Sequence, residues 1–254
     1  MIDLKCGDCL EIMKDMPYKS IDLIITSPPY NMTKRKGGYA DTGRYDKYID
    51  WKPEKEYLLW IEDVFNSFEN VLVSNGVILF NFSYSIENPS LPYKLVNQIE
   101  NNTPFVLVDT IIWRKNNGIP FPANKYRLSR IWEFIFVFVR KSEIKTFNIN
   151  RKIKSISSKT KQKYYEVVYN YIEAKNNDEV CKLNQATFSS DMVTKLLNIY
   201  GKENITVLDP FMGTGTTGVA CAKFGCSFVG NEISLKQFEY AKKRIENVSN
   251  SKVG

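Results

Sequence analysis

Two short segments combine residue types that can bind and activate a small molecule. The first, Ser27-Pro28-Pro29-Tyr30, holds hydrogen-bond acceptors and an aromatic ring on a stiff backbone, because proline fixes φ at about −65°. The second runs from Asp209 to Gly218 and reads Asp-Pro-Phe-Met-Gly-Thr-Gly-Thr-Thr-Gly. Its glycines let a ligand approach the backbone closely, and the N-terminus of a helix that follows attracts anions.

The second segment has the features of a nucleoside-binding turn. Gly213, Gly215 and Gly218 match Gly-x-Gly-x-x-Gly, which alone is weak evidence. The next predicted strand ends in Asn231-Glu232, and an acid there can accept hydrogen bonds from both hydroxyls of a ribose. Asp209 would repel a pyrophosphate but favours a cation. These features indicate S-adenosylmethionine, which carries a sulfonium, an ammonium group and a ribose.

The composition restricts the chemistry further. The 254 residues include no histidine, which excludes Ser-His-Asp and Cys-His catalysis and zinc sites built on histidine. The five cysteines lack the spacing of a zinc framework, and their odd number is typical of reduced thiols. We therefore expect a cytoplasmic protein without a metal.

The charge and the apolar runs indicate the environment of the chain. The net charge is +7, which favours a polyanionic partner. The most apolar run, around 134–139, is far shorter than the roughly 20 residues that span a bilayer. We expect no membrane segment.

Alternating apolar and amphipathic stretches predict an α/β sheet. A strand at 21–26 leads into Ser27 and a strand at 205–208 leads into Asp209, so both motifs lie at carboxyl ends of strands, where open α/β sheets bind ligands. Further strands are predicted at 77–82, 106–113, 131–139 and 227–230, of which 106–113 and 131–139 form an antiparallel pair. Helices are predicted at 51–73, 91–101, 190–200, 214–224 and 234–248.

The two motifs together resemble those of the amino-group DNA methyltransferases, which methylate N4 of cytosine or N6 of adenine. The family's catalytic motif, (Asp/Ser/Asn)-Pro-Pro-(Tyr/Phe/Trp), matches Ser27 to Tyr30, and its cofactor motif, Asp-Pro-Phe-x-Gly-x-Gly-Thr-Thr, matches Asp209 to Thr217. The catalytic motif comes first, which is the circularly permuted order of the β group. The resemblance implies a Rossmann-like methyltransferase sheet that uses S-adenosylmethionine, in a restriction–modification setting.

Three other segments resemble the family's cofactor contacts. Gly7 to Glu11 resembles the adenine-side motif, Gly230 to Ser234 the ribose motif, and 186–193 the segment that closes on the methionine end. The last departs from the family pattern, because Asn-Gln at 184–185 replaces a His-Pro-like pair and Ser189 replaces a proline. The resemblance implies these cofactor-binding residues: Asp8, Cys9, Phe188, Ser189, Asp209, Phe211, Gly213, Gly215, Thr216, Glu232 and Ile233.

The catalytic motif suits methylation of an exocyclic amine, whose lone pair is delocalised into the ring of the base. Ser27 Oγ and the Pro28 carbonyl can each accept one amino hydrogen, and Pro29 stiffens the backbone that carries them. Tyr30 is expected to stack on the flipped base, which is worth about 1–3 kcal/mol. The mechanism needs no imidazole, in agreement with the composition. By resemblance, serine at the first position favours N4-cytosine over N6-adenine.

Other interpretations stay open at this stage. Methylation of RNA or of a protein amide also uses Asn/Asp-Pro-Pro-Tyr motifs, and an NAD-dependent oxidoreductase would use the glycines as a dinucleotide fingerprint. A non-catalytic DNA-binding module would leave Ser27 to Tyr30 without a role. Cytosine-C5 methylation needs a cysteine that follows a proline, and none of the ten prolines precedes a cysteine.

Basic residues concentrate outside the two motifs. Between Lys141 and Lys163, eight Lys and Arg stand against one acid, which predicts contacts with phosphates. We divide the chain into a catalytic half (1–140), a basic target-recognition insert (141–183) and a cofactor-binding half (184–254). Predicted DNA contacts are Asn31, Lys34, Arg35, Lys36, Arg44, Lys125, Arg127, Lys152, Lys154 and Lys159. The expected partner is double-stranded DNA; a cognate restriction endonuclease and a second copy of the chain are candidate partners.

Overall fold

The computed structural model describes residues 1–31, 51–84, 88–118, 126, 128–176, 188–202 and 204–250. The strands are β1 (Ile2–Cys6), β2 (Ile21–Thr26), β3 (Leu72–Phe82), β4 (Phe105–Lys115), β5 (Trp132–Arg140), β6 (Ile153–Ile156), β7 (Lys163–Tyr165), β8 (Tyr171–Ala174), β9 (Thr206–Asp209) and β10 (Ser227–Glu232). The α-helices are α1 (Cys9–Lys14), α2 (Glu54–Val71), α3 (Leu91–Asn102), α4 (Ser190–Tyr200), α5 (Thr216–Phe224) and α6 (Leu235–Asn250).

Eight strands form one sheet in the order β1-β10-β9-β2-β3-β5-β4-β8. Only β5 runs antiparallel to its neighbours in this sheet, so the predicted antiparallel pair is confirmed as β4 and β5. From β9 the chain continues through α5 to β10, whereas from β2 it continues through α2 to β3 on the other side. The strand order therefore reverses between β9 and β2, and a crevice is expected at their carboxyl ends.

Helices cover both faces of the sheet. On one face, Phe65 of α2 contacts the rings of Phe80 and Phe138, with centroids 5.2 and 5.1 Å apart. On the other face, α4, α5 and α6 pack on the core around Leu196, Val219 and Ile245. Because both faces are covered, the central strands are almost continuously apolar. None of the helices in the described ranges is long and apolar enough to cross a membrane.

Several stretches differ from the sequence prediction, which named neither β1 nor α1. β3 begins at Leu72, five residues earlier than predicted, because Asn75 (φ +61°) and Gly76 form an irregularity within the strand instead of ending an element. The buried Arg140 guanidinium donates to the carbonyls of Leu72 and Val73 at 2.6 and 2.8 Å. These bonds satisfy backbone acceptors where α2 meets β3, directly after the helix ends at Val71.

Residues 141–176, the described part of the middle segment, are more structured than the sequence indicates. Strands β6 and β7 form an exposed antiparallel hairpin of their own. Strand β8 pairs with β4 in parallel and forms an edge of the main sheet. The division of the chain at 140 and 183 stays a prediction, and Tyr171–Ala174 of the middle segment contribute directly to the central sheet.

Candidate active site

A buried carboxylate joins the two motifs at the carboxyl ends of β2 and β9. Thr26 Oγ1 and Thr217 Oγ1 donate to the Asp209 carboxylate at 2.7 and 2.6 Å. The backbone N–H of Phe211 also donates to it, at 3.1 Å. Asp209 is 1% exposed, and burial raises its pKa to about 6. The carboxylate thus holds the strand of the first motif, the strand of the second motif and α5 together.

The turn after β9 requires glycine at one position for its backbone and at another for its packing. Gly215 has φ +83°, precedes the first residue of α5, and a Cβ there would lie 2.9 Å from Ala241 Cβ. A Cβ on Gly218 would lie 2.4 Å from Ile245 Cδ1. Gly218 therefore allows α5 to pack against α6, while Gly213 and Gly215 shape the turn. Thr216 opens α5, and its hydroxyl accepts from Arg244 at 3.1 Å.

The ends of β1, β9 and β10 come together next to this turn. The Glu232 carboxylate accepts from the N–H groups of Gly213 and Ser234, both at 2.9 Å. It is 8% exposed, and burial raises its pKa above the usual range. Asn231 Nδ2 donates to the carbonyls of Gly7 and Pro210. The sequence reasoning did not select Asn231, although it lies within the segment that resembles the ribose motif.

Two predicted cofactor residues begin α1. Asp8 is exposed and caps this helix, because its carboxylate accepts from the N–H of Leu10 at 2.9 Å. Cys9 is buried, and its pKa is raised to about 12, mainly by burial and further by the charge of Asp8. Cys9 is therefore a neutral thiol that presents an apolar wall.

The other predicted cofactor residues lie on separate elements. Ser189 is buried and caps α4, with its hydroxyl 3.3 Å from the N–H of Met192. Phe188 is partly buried against the core on the side of α4, α5 and α6. The ring of Phe211 lies 5.5 Å from that of Trp60, and Ile233 is partly exposed after β10. The structure provides positions for these residues, and their contacts with a cofactor stay predictions.

The catalytic motif belongs to a network of polar side chains. Ser27 Oγ donates to Tyr30 Oη at 2.9 Å. Tyr30 Oη lies 2.8 Å from Asn81 Oδ1 and 3.1 Å from Glu133 Oε2. Glu133 Oε1 forms an ion pair with Lys115 Nζ at 2.5 Å. The network connects β3, β4 and β5 to the end of β2.

The backbone of the same motif is fixed from α2. Tyr57 Oη donates to the Pro29 carbonyl at 2.7 Å, and the Tyr30 ring packs edge-on against Phe82, with centroids 5.1 Å apart. The sequence reasoning missed Tyr57, Asn81, Lys115 and Glu133. In the sequence, Asn81, Lys115 and Glu133 are polar residues near the ends of apolar strands, and Tyr57 is an aromatic residue in a helix. Neither feature indicates a contact with Tyr30.

The predicted DNA contacts are placed only in part. Asn31 lies directly after the motif, and its amide forms two hydrogen bonds with the backbone of Lys52, at 3.0 and 2.6 Å. Lys154 is exposed on β6, Lys152 is exposed directly before it, and Lys159 is exposed in the turn between β6 and β7. Six of the predicted contacts lie outside the described residues: Lys34, Arg35, Lys36, Arg44, Lys125 and Arg127.

Within the described ranges, no group of three or more Cys, Asp and Glu side chains is placed to hold a metal ion. Among the described residues, Cys6, Cys9, Cys221 and Cys226 form no disulfide bond, and Cys181 lies outside them. The carboxylates of Asp209, Glu232 and Glu133 are instead paired with protein groups.

Proteins with similar sequences include type II methyltransferases. The type II methyltransferase M.HinfI of Haemophilus influenzae is 27% identical over 262 residues, which cover 95% of this chain and 67% of M.HinfI. The type II methyltransferase M.HpaI of Haemophilus parainfluenzae is also 27% identical, over 97% of this chain and 75% of its own length.

Solved structures agree with these relatives. The complex of M1.HpyAVI with SAM has a TM-score of 0.64 and 26% identity, covering 96% of this chain and 99% of that chain. The PvuII DNA methyltransferase, cytosine-N4-specific, has a TM-score of 0.71 at 16% identity, covering 98% and 91%, and shares the fold. The family model described as DNA methylase, for N6 and N4 methyltransferases, matches residues 21–243. The chain therefore belongs to the N6/N4 DNA methylase family.

Proposed function

We propose that this DNA methylase transfers a methyl group from S-adenosylmethionine to the exocyclic amine of a flipped base in a defined site of double-stranded DNA, with N4 of cytosine favoured. The observation that carries the proposal is the hydrogen bond from Thr26 to Asp209. It places Ser27, the first residue of the catalytic motif, next to the turn that the cofactor motif forms. A nucleophile and a methyl donor bound at these two motifs lie side by side.

The residues around the turn fit S-adenosylmethionine. Each oxygen of the Glu232 carboxylate accepts one backbone N–H, and each has a further lone pair for a ribose hydroxyl. Asn231 Oδ1 is a buried acceptor that no described residue pairs with, so it can accept from a ligand donor. The negative charge of Asp209 lies beneath the turn and favours a cationic ligand. The cofactor, when bound, supplies a methyl group on a sulfonium.

The catalytic motif presents acceptors and a ring to the base. Ser27 Oγ and the Pro28 carbonyl each accept an amino hydrogen, which localises the nitrogen lone pair. The Pro29 carbonyl accepts from Tyr57 instead, and this bond fixes the orientation of the backbone. The Tyr30 ring stacks on the base. The methylated nitrogen is strongly acidic, and it releases its proton to water.

A methyl-transfer assay with labelled S-adenosylmethionine tests the proposal. We expect label in duplex DNA and none in RNA or protein. Sequencing of methylated DNA from cells that express the chain then identifies the base, and N4-methylcytosine at one recurring site is expected. N6-methyladenine would support the alternative base, and binding of NADH without S-adenosylmethionine would contradict the proposal. A cytoplasmic location, a cognate endonuclease and self-association stay predictions.

Neutralising Lys152, Lys154 and Lys159 with glutamine is expected to flatten the salt dependence of DNA binding. These side chains are exposed in and around the β6–β7 hairpin. Each phosphate contact contributes about −0.9 to the slope of log K against log salt, so the slope should become less negative by about 3. Titrating labelled duplex at several salt concentrations measures it.

Three exposed lysines on α6 provide the matched control: Lys236, Lys242 and Lys243. Their replacement by glutamine changes the net charge equally but leaves the hairpin intact. An equal change of slope in both triple variants would show that the hairpin has no particular role in binding phosphates.

A further inference from the structure

We propose that Glu133 and Asn81 set the direction of the hydrogen bonds at the catalytic motif, so that Ser27 Oγ offers only lone pairs to the target amine. Glu133 and Asn81 are positioning residues, since they act through Tyr30. The inference rests on the proposed function, because it concerns the acceptor which that function assigns to Ser27.

The first step concerns Glu133. Its carboxylate forms an ion pair with Lys115 at 2.5 Å, and the two side chains are only 12% and 18% exposed. An ionised carboxylate accepts hydrogen bonds and donates none. Whatever hydrogen bond joins Glu133 Oε2 to Tyr30 Oη, 3.1 Å away, must therefore use the proton of the tyrosine.

The second step concerns Asn81, which is 3% exposed. An asparagine amide can present either its oxygen or its nitrogen to a neighbour. Here Nδ2 donates to the Phe134 carbonyl at 2.9 Å. A carbonyl only accepts hydrogen bonds, so the amide nitrogen must face it. The amide orientation is thereby fixed, and Oδ1, the acceptor, lies 2.8 Å from Tyr30 Oη.

The third step follows from counting protons. Tyr30 has one hydroxyl proton, and two acceptors, Asn81 and Glu133, compete for it. Its oxygen can then only accept from Ser27, which lies at 2.9 Å. The single hydroxyl proton of Ser27 is used in that bond, so Oγ has only its lone pairs left to form further hydrogen bonds.

This direction matters for the chemistry. The target amine has two hydrogens, and an oxygen that accepts one of them helps to localise the nitrogen lone pair. A Ser27 hydroxyl turned the other way would present its proton to the amine and oppose this effect. The chain of hydrogen bonds that starts at the Glu133 carboxylate therefore excludes the orientation in which the Ser27 hydroxyl points its proton at the amine, and it does so before the substrate binds.

The Glu133→Gln variant tests the proposal, because glutamine has nearly the same shape but carries a donor. Single-turnover methyl transfer to duplex DNA is expected to slow by about tenfold or more, the size of a charge-assisted hydrogen bond. The dissociation constant for S-adenosylmethionine should stay within twofold. Glu62→Gln is the matched control, since Glu62 accepts from Gln98 between α2 and α3 and should leave the rate unchanged.

Two second-site variants separate direction from general packing. In a Tyr30→Phe background the network no longer reaches Ser27, so Glu133→Gln should cost nothing more. In a Ser27→Asp background the acceptor needs no network, because a carboxylate cannot donate, and the loss caused by Glu133→Gln should disappear. An equal loss in all backgrounds would overturn the inference. A wild-type chain that transfers no methyl group to DNA would instead overturn the proposed function.

Discussion

Replacing Tyr30 by alanine is expected to slow single-turnover methyl transfer by about 100-fold. Stacking on the flipped base is worth about 1–3 kcal/mol, and the loss of the hydroxyl also releases Ser27 from its hydrogen bond. The dissociation constant for S-adenosylmethionine should change by less than twofold, because the ring packs on Phe82 of β3 and the hydroxyl binds Asn81 and Glu133, on the side of the catalytic motif. Rapid-quench kinetics and calorimetry on the same preparations measure the two quantities.

The Tyr30→Phe variant separates the contribution of base stacking to the rate from the contribution of the Tyr30 hydroxyl. It keeps the ring and removes the hydroxyl, so it should recover stacking and show only the smaller loss, about tenfold, that belongs to the direction of the hydrogen bond. Tyr18→Ala is a suitable control, because Tyr18 is an exposed tyrosine before β2. Full activity of Tyr30→Ala would contradict the stacking role.

The chemistry of the site could be predicted because each motif is contiguous in the sequence. Ser27 and Asp209 each follow an apolar strand, and the carboxyl ends of parallel strands meet at one edge of a sheet. That β2 and β9 are direct neighbours, with Thr26 bonded to Asp209, could not be read from periodicity. The adjacency of β2 and β9 depends on the order of the strands in the sheet. The resemblance to a permuted family implies that order, but no local sequence pattern encodes it.

The supporting side chains could not be predicted for the same reason. Asn81 and Glu133 reach Tyr30 because β3 and β5 pair antiparallel, with Asn81 opposite Ile135. A shift of β5 by one residue in that register would turn the Glu133 side chain to the face opposite Asn81. Similarly, Asn75-Gly76 has the composition of a turn, but Arg140 satisfies the carbonyls before it from a distant strand, and β3 continues through it.

Asp209→Ala is expected to abolish measurable binding of S-adenosylmethionine, a rise of at least about 100-fold in the dissociation constant. The substitution leaves the Thr26 and Thr217 hydroxyls and the Phe211 N–H without their buried acceptor, and each unsatisfied group costs about 1–3 kcal/mol. The turn and the end of β2 lose their common anchor, so the free energy of unfolding should also fall by several kcal/mol. Calorimetry and urea denaturation measure both effects, and unchanged affinity would contradict the assignment of Asp209 to the cofactor site.

Asp209→Asn separates the charge from the hydrogen bonds, because the amide oxygen still accepts. If the charge attracts the cationic cofactor, affinity should fall by about tenfold, whereas unchanged affinity would contradict an electrostatic role.

The same Asp209→Asn variant should also change how the free energy of unfolding depends on pH. Burial raises the pKa of Asp209 from 3.8 to about 6, so between these values the folded chain binds the proton that the unfolded chain has released. The stabilisation from this proton is complete below pH 4 and is lost as the pH rises to about 6. The free energy of unfolding therefore falls by an amount on the order of 3 kcal/mol across this window. In Asp209→Asn this part of the fall should disappear, while the part due to Glu232, whose pKa burial also raises, should stay. Equal pH profiles for the wild-type chain and the variant would show that Asp209 is ionised in the folded chain as readily as in the unfolded chain, and would contradict the raised pKa.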